Sequence, residues 1–93
     1  MYVETSTYGV TIMTVAHAVA ERTRELLKNK NWSQYHLEKA SGLQHGTMQC
    51  IMNGRTKSVY LNNVMLIAKG FGMSVTEFLD CDAFRSEELE LEY

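Results

Sequence analysis

Three observations predict an all-α fold of five short helices for this chain of 93 residues. Apolar residues recur at three- and four-residue intervals along several segments, as on the buried face of a helix. Serine or threonine precedes three of these segments, where its side chain can cap the first turn, and glycine follows several of them. No proline interrupts any segment. A chain of this length forms one small, compact domain.

The first helix is predicted to begin after Thr14, its N-cap, and to run to about Lys30. One of its faces carries apolar side chains at helical spacing: Val15, Val19, Leu26 and Leu27. The preceding residues 1–13 are predicted to be an N-terminal arm, either loose or containing a short strand, because threonine and valine are frequent there. Met13 is an alternative start of the domain.

Residues 33–53 predict two short helices joined by a tight turn. Ser33 is a good N-cap for the first, which spans residues 34–41, and Gly42 supplies the positive φ that ends it. The second spans about residues 44–53. Helices this short bury little surface by themselves, so they need a scaffold from the flanking sequence. This layout is that of a helix-turn-helix, which makes double-stranded DNA the leading partner.

Two further helices complete the predicted domain. The fourth spans about residues 61–71 and is expected to bury five apolar residues: Leu61, Val64, Ile67, Ala68 and Phe71. The fifth spans about residues 75–80, with Ser74 as N-cap and Glu77 completing a capping box; Val75, Phe78 and Leu79 are expected to face inward. The helix-turn-helix domain is therefore predicted over residues 14–80. An acidic C-terminal tail follows over residues 81–93, and because acidic and apolar residues alternate at its end, a strand is the alternative there.

Charge is unevenly distributed, although the net charge is only −2. Residues 22–69 hold eight basic and two acidic residues, a net charge of +6, whereas residues 81–93 carry −4. A basic centre beside an acidic tail suits a DNA-facing surface with repulsive charge kept elsewhere. An ordinary solvated helical surface also has mixed charge, so the asymmetry favours DNA only modestly.

No pattern in the sequence indicates catalysis, and we expect neither a metal nor a cofactor. His17, His36 and His45 lie on three predicted helices without acidic residues at ligand spacing, and no glycine-rich phosphate loop follows a strand. Cys50 and Cys81 lack a CxxC pattern and are expected to be reduced thiols rather than a disulfide. No apolar run approaches the roughly 18–20 residues that span a bilayer, and no secretory signal is recognisable. We therefore expect a cytoplasmic protein that does not enter the membrane.

In their order and spacing, seven short segments resemble the phage Cro/repressor-like helix-turn-helix family, also called the XRE family. They occupy residues 22–26, 33–34, 41–43, 47–48, 51–54, 67–72 and 74–79. The resemblance implies a compact lambda-repressor-like DNA-binding domain of five helices with short N- and C-terminal extensions. It also implies that residues 44–53 form the recognition helix.

Periodicity gives this recognition helix one buried side, formed by Thr47, Met48 and Ile51 together with Leu43. The resemblance implies that the opposite side contacts base edges through His45, Gly46, Gln49 and Cys50. Gln49 suits bidentate hydrogen bonding to adenine, and His45 can donate to guanine N7 or O6 or to a phosphate. Gly46 allows close backbone approach, and Cys50 offers an apolar contact to a thymine methyl group.

The resemblance further implies six phosphate contacts, from Ser33, Gln34, Gln44, Asn53, Arg55 and Lys57. Gln34 lies at the N-terminus of the first motif helix, where its side chain and free backbone N–H groups can hold a phosphate. Asn53, Arg55 and Lys57 lie where the loop after the recognition helix meets the backbone of the other strand.

Three features depart from the family pattern. Glu38 replaces a small alanine, so either the two motif helices pack more loosely or Glu38 leans outward to a basic residue. Leu27 and Met52 are both apolar where many members carry an Arg–Glu pair, an exchange that is often neutral or stabilising. The recognition helix has no Arg or Lys, so DNA shape is expected to contribute more than guanine readout.

These features predict a sequence-specific transcriptional regulator, a repressor that binds a two-fold operator as a homodimer. The alternative is an antitoxin-type protein whose main partner is a toxin and which also regulates its own promoter. Both terminal segments are candidate surfaces for a protein partner. In a third arrangement, the two chain ends form an intermolecular strand pair that builds the dimer.

Overall fold

A computed structural model of the chain describes residues 4–5, 11–12, 14–54 and 59–85. Its elements, in chain order, are β1 (Glu4–Thr5), β2 (Thr11–Ile12), α1 (Val15–Lys30), α2 (Gln34–Ser41), α3 (His45–Met52), α4 (Leu61–Gly70), α5 (Val75–Leu79) and α6 (Asp82–Arg85). The predicted all-α class and all five predicted helices are confirmed. The described residues add a sixth helix of one turn, α6, within the segment assigned to the acidic tail.

The two short strands lie in the segment predicted to be an arm or a strand. They pair in antiparallel fashion, Glu4 with Ile12 and Thr5 with Thr11. This pairing is within one chain and directly precedes Thr14, from which α1 begins.

Three helices begin at the N-caps that the sequence predicts. The Thr14 and Ser33 side chains accept hydrogen bonds from the backbone N–H groups of His17 and His36, each at 3.1 Å. Ser74 and Glu77 form the predicted capping box, with bonds of 3.2 Å and 2.9 Å. Each such cap contributes about 0.5–2 kcal/mol, because it satisfies an N–H group that has no partner inside the helix.

The hydrophobic core lies where the four central helices meet. α2, α3, α4 and α5 each contribute a side chain with no exposed surface: Leu37, Met48, Ile67 and Phe78. Val19, Leu26 and Leu27 of α1 close the core from one side. Leu27 and Met52, the apolar replacements for an ion pair, are both buried in this cluster. The two short motif helices are therefore held by packing against α1 and α4.

The motif and its scaffold approach each other closely at Gly70, the last residue of α4. A Cβ atom at this position would lie 3.0 Å from the Ser41 Cβ and 3.1 Å from the Ser41 Cα and backbone N. The absence of a side chain at Gly70 is what allows the end of α2 to rest directly on α4. Gly42, at φ 81°, then turns the chain from α2 toward α3 as predicted.

Two arginines of α1 hold the ends of other helices. Arg22 donates to the carbonyl oxygens of Phe78 and Glu77, at 2.7 Å and 3.0 Å, and forms an ion pair with Glu25. Arg24 donates to the carbonyl oxygen of Met52, the last residue of α3. Carbonyl groups at a helix C-terminus lack partners within the helix, and among the described contacts those of Phe78 and Met52 have only these arginine donors, whereas the Glu77 carbonyl also accepts from the Asp80 N–H group.

The prediction that Leu61 is buried is wrong. Its side chain is 62% exposed, and Tyr60 and Met65 are exposed beside it. The first turn of α4 borders an open groove next to α3, lined in part by Tyr60 and Asn63, and no described element buries Leu61. The buried face of α4 starts at Val64. Several other residues expected to face inward are half-buried at the margin of the core: Val15, Leu43, Thr47, Val75 and Leu79.

Removing the donor groups of Arg22 is expected to destabilise the fold. Arg22→Met keeps much of the apolar stem but removes the donor to the Phe78 carbonyl and one of the two donors to the Glu77 carbonyl, which should lower the free energy of unfolding by about 1–3 kcal/mol. Urea denaturation measures the loss. Lys28→Met, at an exposed position of the same helix, is the control and should change stability little. Equal effects of the two substitutions would contradict the role of Arg22.

Two glycine substitutions should act in opposite directions. Gly70→Ala forces a methyl group against Ser41 and should lower the free energy of unfolding by about 1–3 kcal/mol. A Cβ at Gly46 would meet no atom within 4 Å, so Gly46→Ala should raise stability by about 0.5–1 kcal/mol through helix propensity. Thermal unfolding of both variants gives the comparison, and a stabilised Gly70→Ala protein would refute the close packing of α2 on α4.

Candidate nucleic-acid interface

α3 exposes one face that carries no charged residue other than a titratable histidine. His45, Gly46, Gln49 and Cys50 are all exposed on it. On the other side Met48, Ile51 and Met52 are buried, so the packing of the helix leaves only this face accessible. The structure thus places the four predicted base-contacting residues together on one surface.

The N-terminus of α3 is open. Gln44 occupies the N-cap position and is exposed, but its side chain makes no capping hydrogen bond, in contrast to Thr14, Ser33 and Ser74. The N–H groups in the first turn of a helix lack acceptors within the helix, and the helix dipole adds partial positive charge there. This end of α3 is therefore suited to an anionic ligand.

Glu38 of α2 lies beneath the exposed face and links the two motif helices. Its Oε2 atom accepts a hydrogen bond from Gln34 Nε2 at 3.1 Å and lies 2.9 Å from His45 Nδ1. The Glu38 side chain is only 9% exposed, whereas that of His45 is 68% exposed. A largely buried carboxylate thus supports an exposed histidine on α3.

Gln34 connects the same cluster to Gln49. Its Nε2 group also donates to Gln49 Oε1, at 3.2 Å. Both amide hydrogens of Gln34 therefore have acceptors within the protein, and a phosphate at this position would meet the backbone N–H groups of α2 rather than the Gln34 side chain. The Oε1 atom of Gln49 keeps a second lone pair and its Nε2 group keeps both hydrogens, so its amide is oriented while still able to bind a base.

These contacts lower the pKa of the Glu38 carboxyl group from its usual value. The hydrogen bond from Gln34 contributes most, and the hydrogen bond and positive charge of His45 act in the same direction. Burial opposes them, because it disfavours the charged form. The balance keeps Glu38 ionised, as an acceptor at the base of the exposed face.

Both expectations for Glu38 are corrected by this geometry. The side chain neither leans outward to a basic residue nor leaves the motif loosely packed, because it bridges α2 and α3 through Gln34 and His45. The spacing of Gln34 and Glu38, four residues apart on one helix, was a usable signal for the first contact. The second joins different helices and has no local signal.

The other predicted phosphate contacts lie at helix ends. Ser33 is exposed, although its hydroxyl oxygen already accepts a hydrogen bond in capping α2. Asn53 is exposed at the C-terminus of α3, where its N–H group donates to the Gln49 carbonyl at 2.9 Å. Arg55 and Lys57 lie outside the described residues. Sequence reasoning missed Arg24, whose contact with the Met52 carbonyl holds the C-terminal end of α3.

The rest of the described chain offers few other sites. Within it, no cluster of three or more His, Cys, Asp or Glu residues is arranged to hold a metal ion. Cys50 and Cys81 are both free thiols. Among the described helices, none is both long and apolar enough to cross a bilayer.

Comparison with known proteins identifies a family of helix-turn-helix domains with which this chain agrees. Residues 22–83 fit the sequence model of the Cro/C1-type HTH DNA-binding domain. This chain belongs to that family. The matched range contains both motif helices and α4 and α5, so the exposed face of α3 lies within the Cro/C1-type domain. No significant match is found among curated proteins.

A solved structure supports the same fold. The protein described as prophage Lp1 protein 11 superposes with a TM-score of 0.72 at 23% sequence identity. The superposition covers 80% of this chain and 97% of the other. At this identity the likeness concerns the fold, and the site must be argued from the residues of this chain.

The lowered pKa of Glu38 predicts a pH-dependent contribution to stability. Because the folded pKa lies below the unfolded one, the contribution is fully present above the unfolded pKa and is lost as the pH falls through the folded pKa. The free energy of unfolding of the wild type should therefore exceed that of Glu38→Gln by a constant amount at neutral pH, and by progressively less below about 4.5. Urea denaturation across this pH range tests it.

Gln34→Ala provides the matched variant for that measurement. It removes the largest cause of the shift while keeping the carboxyl group, so the pH dependence should weaken but persist. A difference between wild type and Glu38→Gln that does not change with pH would contradict the ionised, hydrogen-bonded state of Glu38.

Proposed function

We propose that this protein is a sequence-specific transcriptional regulator that inserts α3 into the major groove of DNA. The observation that carries the proposal is the exposed face of α3, on which Gln49 accepts a hydrogen bond from Gln34 of α2 and His45 donates one to Glu38 of α2. Polar groups with fixed orientation are suited to reading base edges, because the donor and acceptor pattern of each base pair in the major groove is distinct. Membership of the Cro/C1-type family supports DNA as the ligand.

Affinity for the phosphate backbone is assigned to residues around α3. Arg22 and Arg24 are engaged in contacts within the protein, and no Arg or Lys lies on α3 itself. We therefore propose that Arg55 and Lys57, the exposed Gln44 and Asn53, and the N-terminal amides of α2 at Ser33 and Gln34 contact phosphates. The main role of the base-facing residues is then specificity rather than affinity.

The length of α3 supports the proposal of a homodimer on a two-fold operator. Eight residues of helix extend about 12 Å, which corresponds to only about three or four base pairs along the DNA axis. Two copies read twice that length, with half-sites about 34 Å apart, one helical turn of DNA. Such a dimer would repress a promoter by occluding it. We assign its contacts, or those of another protein partner, to the terminal segments 1–13 and 81–93.

The distinction between base and phosphate contacts is directly testable. Gln49→Ala should relax base preference at one or two positions of the selected sites and leave non-specific affinity nearly unchanged. Lys57→Ala should weaken all sequences alike and reduce the slope of log K against log salt by about one. Binding-site selection and salt titrations provide the two measurements.

Lys69→Ala is the control for lost charge. Lys69 is exposed and precedes Gly70, which packs on Ser41 at the end of α2 distant from Gln34. Its replacement should alter neither preference nor salt dependence. If Gln49→Ala and Lys57→Ala behaved identically, the assignment of α3 as the reading element would be wrong.

A further inference from the structure

We propose that Glu38 sets the base preference of His45 by holding its neutral ring as the Nδ1–H tautomer, so that Nε2 faces the DNA as a hydrogen-bond acceptor. The ligand class is then an exocyclic amino group in the major groove, that of adenine or cytosine. This inference rests on the proposed function and names what its recognition helix reads. Glu38 is a positioning residue, because it acts through His45.

The first step is the geometry of the contact between Glu38 and His45. Nδ1 of His45 lies 2.9 Å from Glu38 Oε2, within hydrogen-bonding distance. An ionised carboxylate only accepts hydrogen bonds, so the proton in this contact belongs to Nδ1. A neutral imidazole has one N–H group, which leaves Nε2 with a free lone pair. The His45 side chain is 68% exposed, so it remains accessible to DNA.

The second step is that Glu38 is held in place independently of His45. Gln34 donates to the same Oε2 atom at 3.1 Å, and the Glu38 side chain is almost fully buried. The lowered pKa of Glu38 is consistent with its acting as an acceptor. The carboxylate therefore does not need DNA in order to orient the ring.

No other charged group competes for His45 in the described contacts. α3 itself contains no Asp, Glu, Lys or Arg. From α1, Arg24 reaches α3 at its opposite end, at the Met52 carbonyl. From α2, Glu38 is the ionisable group in contact with the ring, and Lys39 is directed to Tyr35 instead.

The consequence for recognition is that His45 accepts a hydrogen bond from the base, whereas the sequence predicts that it donates one. Histidine was expected to donate to guanine N7 or O6, which requires a hydrogen on Nε2. With Nε2 as an acceptor, guanine N7 and O6 and thymine O4 offer no hydrogen, whereas adenine N6 and cytosine N4 each donate one. At neutral pH His45 therefore favours adenine or cytosine in the base position that it faces.

Protonation changes the preference without changing the ring position. When Nε2 gains a proton, both ring nitrogens donate, one to Glu38 and the other to the DNA. Guanine and phosphate oxygens then become the preferred acceptors. Site selection at an alkaline and at an acidic pH measures this change of preference in the folded protein.

The experiment combines a spectroscopic measurement on free protein with site selection. Nitrogen-15 chemical shifts of the His45 ring in the intact chain report the tautomer in the absence of DNA. Binding-site selection at about pH 8 and about pH 5.5 reports the base preference. Each is performed on the wild type and on Glu38→Gln, whose amide can donate to Nδ1 and thereby favour the opposite tautomer. His45→Phe identifies which operator position the ring faces.

The expected results are specific. The wild type should show Nδ1–H at neutral pH and select adenine or cytosine over guanine about tenfold at the position identified by His45→Phe, with guanine gaining at acidic pH. Glu38→Gln should move the ring toward Nε2–H and lose most of that preference, while the preference set by Gln49 persists. The wild-type pH comparison keeps the test decisive even if Glu38→Gln folds poorly.

Three outcomes would overturn the inference, and they can be told apart. A wild-type ring in the Nε2–H tautomer contradicts the structural premise. Selective DNA binding whose preference at this position is unchanged in Glu38→Gln, and unchanged by pH in the wild type, contradicts the inference while leaving the proposed function intact. The absence of any sequence preference in the wild type contradicts the proposed function itself, and the inference falls with it.

Discussion

The exposed face of α3 depends on apolar packing that holds α2 and α3 in place, because both helices are too short to be stable alone. α2 and α3 have eight residues each, below the length at which an isolated helix is stable in water. Leu37 and Met48 fix them by inserting fully buried side chains into a core closed by Ile67 and Phe78. The close approach of Gly70 to Ser41 also holds the end of α2 against α4.

The buried carboxylate of Glu38 constrains the motif by hydrogen bonding rather than by apolar packing. Burying a charge is unfavourable unless hydrogen bonds replace its hydration. Gln34 and His45 supply them, and both lie on the side of the motif that faces outward. An alanine at position 38 would leave the His45 ring without this acceptor and the Gln34 amide with its contact to Gln49 alone. Because the hydrogen bonds outweigh burial and lower the pKa of Glu38, the ionised carboxylate adds stability as well as a defined hydrogen-bonding pattern on the exposed face.

The sequence predicted the parts of the fold that local interactions determine. Thr14, Ser33 and Ser74 cap the helices predicted for them, because a cap involves residues only two or three positions apart. The exposed side of α3 was predicted for a similar reason, since helical periodicity places residues on faces. The exposure of Leu61 was not predictable, because burial requires a neighbouring element and periodicity does not say how far that neighbour extends.

Long-range polar contacts were equally inaccessible to sequence reasoning. Arg22 meets the end of α5 more than fifty residues along the chain, and Arg24 meets the end of α3. Nothing near either arginine distinguishes it from a solvated basic residue. For the same reason Glu38 was recognised as unusual while its orientation was predicted wrongly. The candidate site could thus be located from the sequence, but the hydrogen-bond polarity of its side chains depends on partners on another helix.

These contacts also change how the positive charge of the central segment is interpreted. A net charge of +6 over residues 22–69 suggested a broadly attractive surface, yet two of its eight basic residues are used to hold helix ends together. Lys30 and Lys39 lie over the rings of Trp32 and Tyr35, where the ammonium groups remain charged but are positioned by the protein. Long-range attraction to DNA survives, because internal pairing does not remove an arginine's charge. Fewer of the eight basic residues than their number suggests are then free to contact phosphates. If non-specific binding is weak for this reason, the hydrogen bonds made by α3 would account for a larger share of the proposed affinity for DNA.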